Sequence, residues 1–284
     1  MFIYLRVVVL AIITVFTAVA TFAAEPKVHL ELARKTIVCS DCQVILVSVE
    51  NPGEKSIELD TNFHLDAEGP WVEMQTGTGD YQTVSSMGQG SASVEPGGTT
   101  IPPRARITDF LVLALQARRQ GDVPLFEFPG KYVLRVSVKF MKKQFYSEPR
   151  EFEVLDKPEI DWENPATRGV LANMAQYPLP AAIQQRPMLV KSLPTESLLR
   201  ETGELGLRAF EFVERPAERR EQWLKSRGKA SRIVADWLSL CVGREFFGLE
   251  KYDLALEEFG RMKVETMAST AMTQESQRRL KRNK

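Results

Sequence analysis

Four residues near the start of the chain, Cys39-Ser40-Asp41-Cys42, have the spacing of a dithiol pair. Redox use of such a pair requires a thiolate, and a helix N-terminus is the usual means of lowering the first thiol. Here the pair runs directly into Gln43-Val44-Ile45-Leu46-Val47, a β-branched run that reads as strand. Without that helix, Cys39 and Cys42 read as a small structural disulfide or as two inert thiols, held in a turn between the first two strands. A thiol–disulfide enzyme is the alternative. Zinc would need two further ligands, yet no second pair of this spacing exists and the chain has only two histidines, His29 and His64.

Other candidate chemistry is thinner. Glu58, Asp60, Asn62, His64 and Asp66 share one parity of a strand-like run, so Asp60 and His64 could line a shallow ligand or cation patch. Alternate residues of a strand lie about 7 Å apart, too far for neighbours to share a small ion, and the bland reading is a solvated face. The run also fails the EF-hand pattern, with His64 and Leu65 at the required acid and glycine positions. Trp71, after Gly69-Pro70, is a candidate to stack on a sugar or a partner, against packing at a sheet rim. The loop glycines, Gly77 to Gly98, lack the strand, helix and lysine of a phosphate cradle. No G-x-S-x-G elbow or H-E-x-x-H pair occurs, and no cofactor signature is present.

These residues must be positioned by two unlike stretches of chain. Residues 1–24 carry Arg6, an apolar run from Val7 to Phe16 and two small-x-small sites, Ala18-Val19-Ala20 and Thr21-Phe22-Ala23. That pattern reads as a cleaved signal peptide, with an uncleaved inner-membrane anchor as the alternative. Residues 25–156 read as β-structure. Ile57, Leu59, Thr61, Phe63 and Leu65 alternate with polar neighbours, and Tyr132, Leu134, Val136, Val138 and Phe140 do the same. Turn residues such as Asn51-Pro52-Gly53 and Pro129-Gly130 separate the runs, predicting a sandwich of antiparallel sheets.

After a proline-punctuated linker over 157–194, the spacing turns helical over 195–268. Leu198, Leu205, Ala209 and Phe212 share one face. Ile233, Val234, Trp237, Leu238 and Cys241 share a second, and Tyr252, Ala255, Phe259 and Met262 a third. Residues 269–284 read as a frayed basic tail. The fold class is therefore all-β followed by all-α, and the two halves are expected to carry separate cores. Lys plus Arg and Asp plus Glu each number 37, a balance that argues against a nucleic-acid partner.

Two segments resemble known families. Phe128-Pro129-Gly130-Lys131-Tyr132, with Leu134, Val136 and Phe152-Glu153-Val154, resembles the closing hairpin of immunoglobulin-like domains in exported bacterial proteins. Val44 to Glu50 with Asn51-Pro52 resembles the second strand of those domains. The resemblance implies that the Tyr132 hydroxyl braces the corner entering its strand. Leu134 stands where antibody domains have a cysteine, so their inter-sheet disulfide is absent. Gly243, Phe246, Tyr252, Ala255 and Phe259 are similar in spacing to a tetratricopeptide repeat, implying small residues that let paired helices approach and aromatics that fill between them. Together these readings predict an exported, non-enzymatic binding or scaffolding protein of the periplasm or cell envelope with a protein partner. A carbohydrate-binding module is the remaining alternative.

Overall fold

The computed structural model describes residues 24–60, 71–84, 99–118, 121–156, 160 and 187–282. Its N-terminal part is built of strands and its C-terminal part of helices. Strands β1 (Lys27–Leu32), β3 (Gln43–Glu50) and β8 (Arg106–Leu113) form one antiparallel sheet in the order β1-β3-β8. A second sheet runs β2 (Thr36–Val38), β13 (Arg150–Leu155), β11 (Gly130–Phe140), β5 (Trp71–Thr76), β6 (Gln82–Val84), and β12 (Lys143–Tyr146) folds back on β11. Two small ladders pair β4 (Ile57–Leu59) with β7 (Thr99–Ile101) and β9 (Leu115–Arg118) with β10 (Gly121–Pro124).

One pairing departs from the antiparallel expectation, since β2 runs parallel to β13. No hairpin joins these two strands; β2 arrives from the other sheet through Ala33-Arg34-Lys35, so nothing forces them antiparallel. The sheets pack face to face, with Leu30, Ile45, Val47 and Val49 of one meeting Leu134, Val136, Phe152 and Val154 of the other. Within that core Phe126, Tyr132 and Phe152 form an aromatic cluster with centroids 5.3–5.7 Å apart. The Tyr132 hydroxyl donates to the Phe128 carbonyl at 2.8 Å.

The helical part comprises α1 (Pro187–Ser192), α2 (Leu198–Glu214), α3 (Pro216–Arg227), α4 (Arg232–Gly248), α5 (Tyr252–Gly260) and α6 (Met267–Arg282). Gly243 of α4 lets Phe259 of α5 press against the backbone: a Cβ there would lie 2.3 Å from the ring. Beneath these helices lies a buried polar network. Glu258 accepts hydrogen bonds from Trp223 Nε1 and Ser239 Oγ, both at 3.2 Å, and from Arg261 Nε at 3.0 Å. Arg227 joins Ser239 at 2.7 Å to Asp236 at 3.1 Å, tying α3 to α4.

The expectation of two separate cores is corrected. Cys42, Val44 and Leu46 around β3 and Phe110 and Ala114 around β8 belong to the same apolar cluster as Val190, Leu198, Phe212, Trp237 and Phe246 of the helices. A strand has two faces, and β3 uses both: Ile45, Val47 and Val49 face the second sheet while Val44 and Leu46 face the helices. Its unbroken apolar run is the signature of burial on both sides. The molecule is thus three layers deep: sheet, sheet, helices.

Two boundaries move as well. The segment read as a tail is helix α6, whose start is fixed reciprocally: the Thr266 amide donates to Ser269 Oγ at 2.9 Å and the Ser269 amide to Thr266 Oγ1 at 3.0 Å. Glu275 pairs with Arg278 and Arg279 one turn on, which supports a helix where composition alone suggested fraying. The linker's last residues form α1, with Val190 and Leu193 buried. Asn62, His64 and Asp66, like residues 1–23, lie outside the described residues.

Candidate functional site

A cleft of about 1090 Å³ open to a ligand runs along α2. Its floor is α2 itself, presenting Leu205, Leu207 and Phe210. One wall carries Pro187, Val190 and Lys191 of α1, and the other the Ser226 to Ser231 bend between α3 and α4. The floor helix forms because its apolar residues repeat at helical spacing and because Ser197 caps it, its Oγ accepting from the Arg200 amide at 3.2 Å.

A second cap comes from the β part. Asp41, fully buried, accepts hydrogen bonds from Ser197 Oγ at 2.9 Å, the Leu198 amide at 2.6 Å and the Leu199 amide at 2.9 Å. These are the unsatisfied donors of a helix's first turn, where negative charge is also favoured. Burial pushes the Asp41 carboxyl above its ordinary range, and the hydrogen bonds pull it back part of the way. Arg34, at the corner between β1 and β2, reaches the same helix end: its Nη1 donates to the Glu196 carbonyl at 2.7 Å, and it forms an ion pair with Glu201. Gln43 holds that corner, its Nε2 donating to the Arg34 carbonyl at 2.9 Å. Arg34 also lines the cleft, so both parts of the molecule build it.

Charges along the cleft come in pairs. Arg200 bonds Glu204 at 2.9 Å and Arg208 bonds Glu211 at 3.2 Å, in addition to Arg34 with Glu201. An apolar strip between paired cations and carboxylates suits a polypeptide segment, which offers apolar side chains and charges of both signs. The cleft residues include hydroxyls from Thr195, Ser226 and Ser231, and neither a cysteine nor a histidine. Among the described residues no group of three or more His, Cys, Asp or Glu side chains is placed to hold a metal ion. None of the described helices is long and apolar enough to cross a membrane.

The residues singled out in the sequence are scattered. Cys39 and Cys42 are buried thiols that enter different cores, Cys39 the one between the sheets and Cys42 the one under the helices. Burial and the neighbouring Asp41 charge push the Cys42 thiol well above its ordinary range, opposite to what a redox nucleophile needs. Burial likewise pushes Cys241 up to about 12. Asp60 is occupied locally, its Oδ2 accepting from the Lys142 amide at 2.6 Å while its own amide donates to the Lys139 carbonyl at 2.9 Å. Trp71 opens β5, half-buried, with the Lys139 ammonium 4.9 Å from its ring centroid. Asp60 and Trp71 therefore each touch the β11–β12 hairpin, and the Asp60 carboxylate is used by the turn. Sequence reading missed Asp41 and Arg34. Ser197 before an apolar helical run is a legible cap; that a residue 156 positions earlier shares the duty is not.

No family model and no curated protein matches the chain. Solved structures similar to it include the alkylpurine DNA glycosylase AlkC of Pseudomonas fluorescens bound to DNA containing an abasic site analog (14% identity, 49% of this chain and 33% of that one, TM-score 0.32). Others are the sporulation control protein Spo0M of Bacillus subtilis (10% identity, 52% and 56%, TM-score 0.28) and a β-glucosidase from Listeria innocua in complex with isofagomine (12% identity, 46% and 16%, TM-score 0.25). The chain spans about a third of the glycosylase's length. Likenesses at these scores carry no argument about fold or function.

Proposed function

We propose that this protein is an exported, non-enzymatic binding or scaffolding protein of the bacterial periplasm or cell envelope, and that its α2 cleft receives a segment of a protein partner. The observation that carries the reading is the cleft: about 1090 Å³, an apolar floor, and paired charges along it. Export is supported by the apolar run and small-x-small sites of residues 1–24. We read the packed sheets as immunoglobulin-like, supported by the Tyr132 hydroxyl bond to Phe128 four residues upstream. We read α4 and α5 as a tetratricopeptide-like pair, supported by Gly243 against Phe259.

The test begins with a photo-crosslinking side chain at Leu207 in the full chain, followed by identification of the crosslinked envelope protein and reconstitution with that protein purified. Arg208→Glu should weaken the reconstituted complex by about tenfold, and Phe210→Glu should abolish it, with melting temperature monitored in both. A partner that binds the Arg208→Glu and Phe210→Glu variants as tightly as the parent chain removes the cleft from the reading.

A further inference from the structure

The three Arg–Glu pairs along the α2 cleft do not use up its charge. Of the described side chains that line it, five are cationic and four anionic. Arg34, Arg200 and Arg208 are taken by Glu201, Glu204 and Glu211. Lys191, Lys229 and Glu214 remain, all three exposed and, among the described residues, engaged in no ion pair. Asp41, buried beneath the start of α2, adds no open acceptor, because its carboxylate is spent on Ser197 and two helix amides. Arg215, just past the end of α2, pairs with Glu218 outside the cleft.

These three charges are separated along the helix. Lys191 belongs to the last turn of α1, and the chain beyond it is tied to the first turn of α2, where Arg200 Nη1 donates to the Leu193 carbonyl at 2.9 Å. Helix α3 turns back along α2, with Trp223 stacked on Phe212 at 6.2 Å between centroids. The bend that carries Lys229 therefore lies back toward the start of α2 as well. Glu214 is the last residue of α2. The unmatched cations gather at one end and the unmatched carboxylate stands at the other, with Leu207 and Phe210, both half-buried, on the floor between. From Arg200 to Glu214 the helix rises about 21 Å. An extended chain covers that distance in about six residues.

We propose that the cleft selects a bipolar peptide segment, with carboxylate side chains at one end, an apolar side chain in the middle and a Lys or Arg about six residues from the carboxylates. This rests on the reading of the cleft as a peptide site. The carboxylates meet Lys191 and Lys229 from the two walls, the apolar residue covers Leu207 and Phe210, and the cation meets Glu214. Each contact fills a place that the chain itself leaves open. A segment with the same charge at both ends would set like charges against each other at one of them. A small anion such as inorganic phosphate would satisfy the lysines but leave the apolar floor and Glu214 unmatched. All three charges are exposed, so they act through partner choice and association rate as much as through affinity.

Panning random dodecapeptides displayed on phage against the full-length protein tests the assignment. Enriched sequences should share the acid, apolar, base pattern at that spacing. A synthetic peptide of the pattern should bind in fluorescence anisotropy, with an affinity that falls as salt is raised. Lys191→Glu and Lys229→Glu should each weaken that peptide about tenfold, and Glu214→Lys about threefold. A peptide whose Lys or Arg is replaced by Glu should regain the loss on the Glu214→Lys chain. Melting temperatures should stay at the parent value, since all three positions are exposed. If no sequence is enriched, or the enriched peptides bind Phe210→Glu unchanged, the cleft is not a peptide site and both readings fall. If the peptides need Phe210 but share no charge pattern, or bind Lys191→Glu and Lys229→Glu as tightly as the parent, the cleft keeps its role and the bipolar assignment falls.

Discussion

The β part and the helical part hold together by different means. Between the sheets the core is apolar and aromatic, with Leu30, Ile45, Leu134 and Val136 packed around Phe126, Tyr132 and Phe152. Under the helices the core is partly ionic, with Asp236, Glu258, Arg227 and Arg261 bonded to one another or to Ser239 and Trp223. An apolar core is forgiving of exact geometry, whereas a buried charge network stabilises only when every member is satisfied. The helical part also takes its first cap and one wall of its core from the sheet beneath it. The helices cover Val44, Leu46 and Phe110 of the sheet beneath them, but only the β part supplies a cap, with Asp41 holding the first turn of α2.

The strongest way to break that asymmetry is Asp41→Ala. It strands two helix amides and a buried hydroxyl, and urea unfolding should report a loss of about 3–5 kcal/mol. Hydrogen exchange at the Leu198 and Leu199 amides should accelerate while the aromatic cluster around Tyr132 stays protected. A loss below about 1 kcal/mol would mean the helices dock without Asp41. Next in size is Gly243→Ala, which drives a methyl into the Phe259 ring and should cost about 1–3 kcal/mol by the same measurement. Phe259→Leu in that background should recover part of the loss, and no recovery would place the strain elsewhere. Within the β part, Tyr132→Phe removes the bond to the Phe128 carbonyl and should cost about 1 kcal/mol, leaving exchange at Leu198 and Leu199 unchanged.

The smallest expected effect is a change of slope with pH. Burial raises the carboxyls of Glu258, Asp236 and Asp41 despite Arg261 and Arg227 facing the first and Arg227, Arg232 and Lys263 the second. A carboxyl raised on folding contributes fully below its unfolded value, and that contribution is lost as pH rises through the folded value. Glu50 and Glu275, lowered by Arg106 and by Arg278 and Arg279, act in the opposite direction, but both are partly open to solvent, which screens them. Tm should therefore rise as pH falls from about 7 to about 5, and Glu258→Gln should flatten that rise. An unchanged slope would take Glu258 out of the account.

Much of the architecture is legible in the residues. Tyr132 to Phe140 alternates because that strand has one buried and one wet face, and the spacing of Leu198, Leu205, Ala209 and Phe212 marks the stripe that α2 buries. Tail and linker were misread for a shared reason. Helix α6 is held by Glu275 with its arginines and by the Thr266–Ser269 cap, and α1 by tertiary burial of Val190, and neither leaves a strong apolar period. The site was less legible still. Trp71 shares its sheet face with Ser137 and Tyr146, brought beside it by strand pairing, while Asp60 serves a turn.

Local grammar, then, is written in single residues: a period of two or of 3.6, a proline at a helix start, a serine before an apolar run. These reflect each residue's own backbone preference and the solvent on either side of its element, so they can be read without knowing the fold. Only the folded chain decides which element supplies the other side. The apolar character of β3 records that it is covered twice, but not that one cover is a second sheet and the other a set of helices. Asp41 could have been any turn aspartate; burial at a helix's first turn, where two amides and a hydroxyl have no other acceptor, makes it the point where the two parts of the molecule are joined.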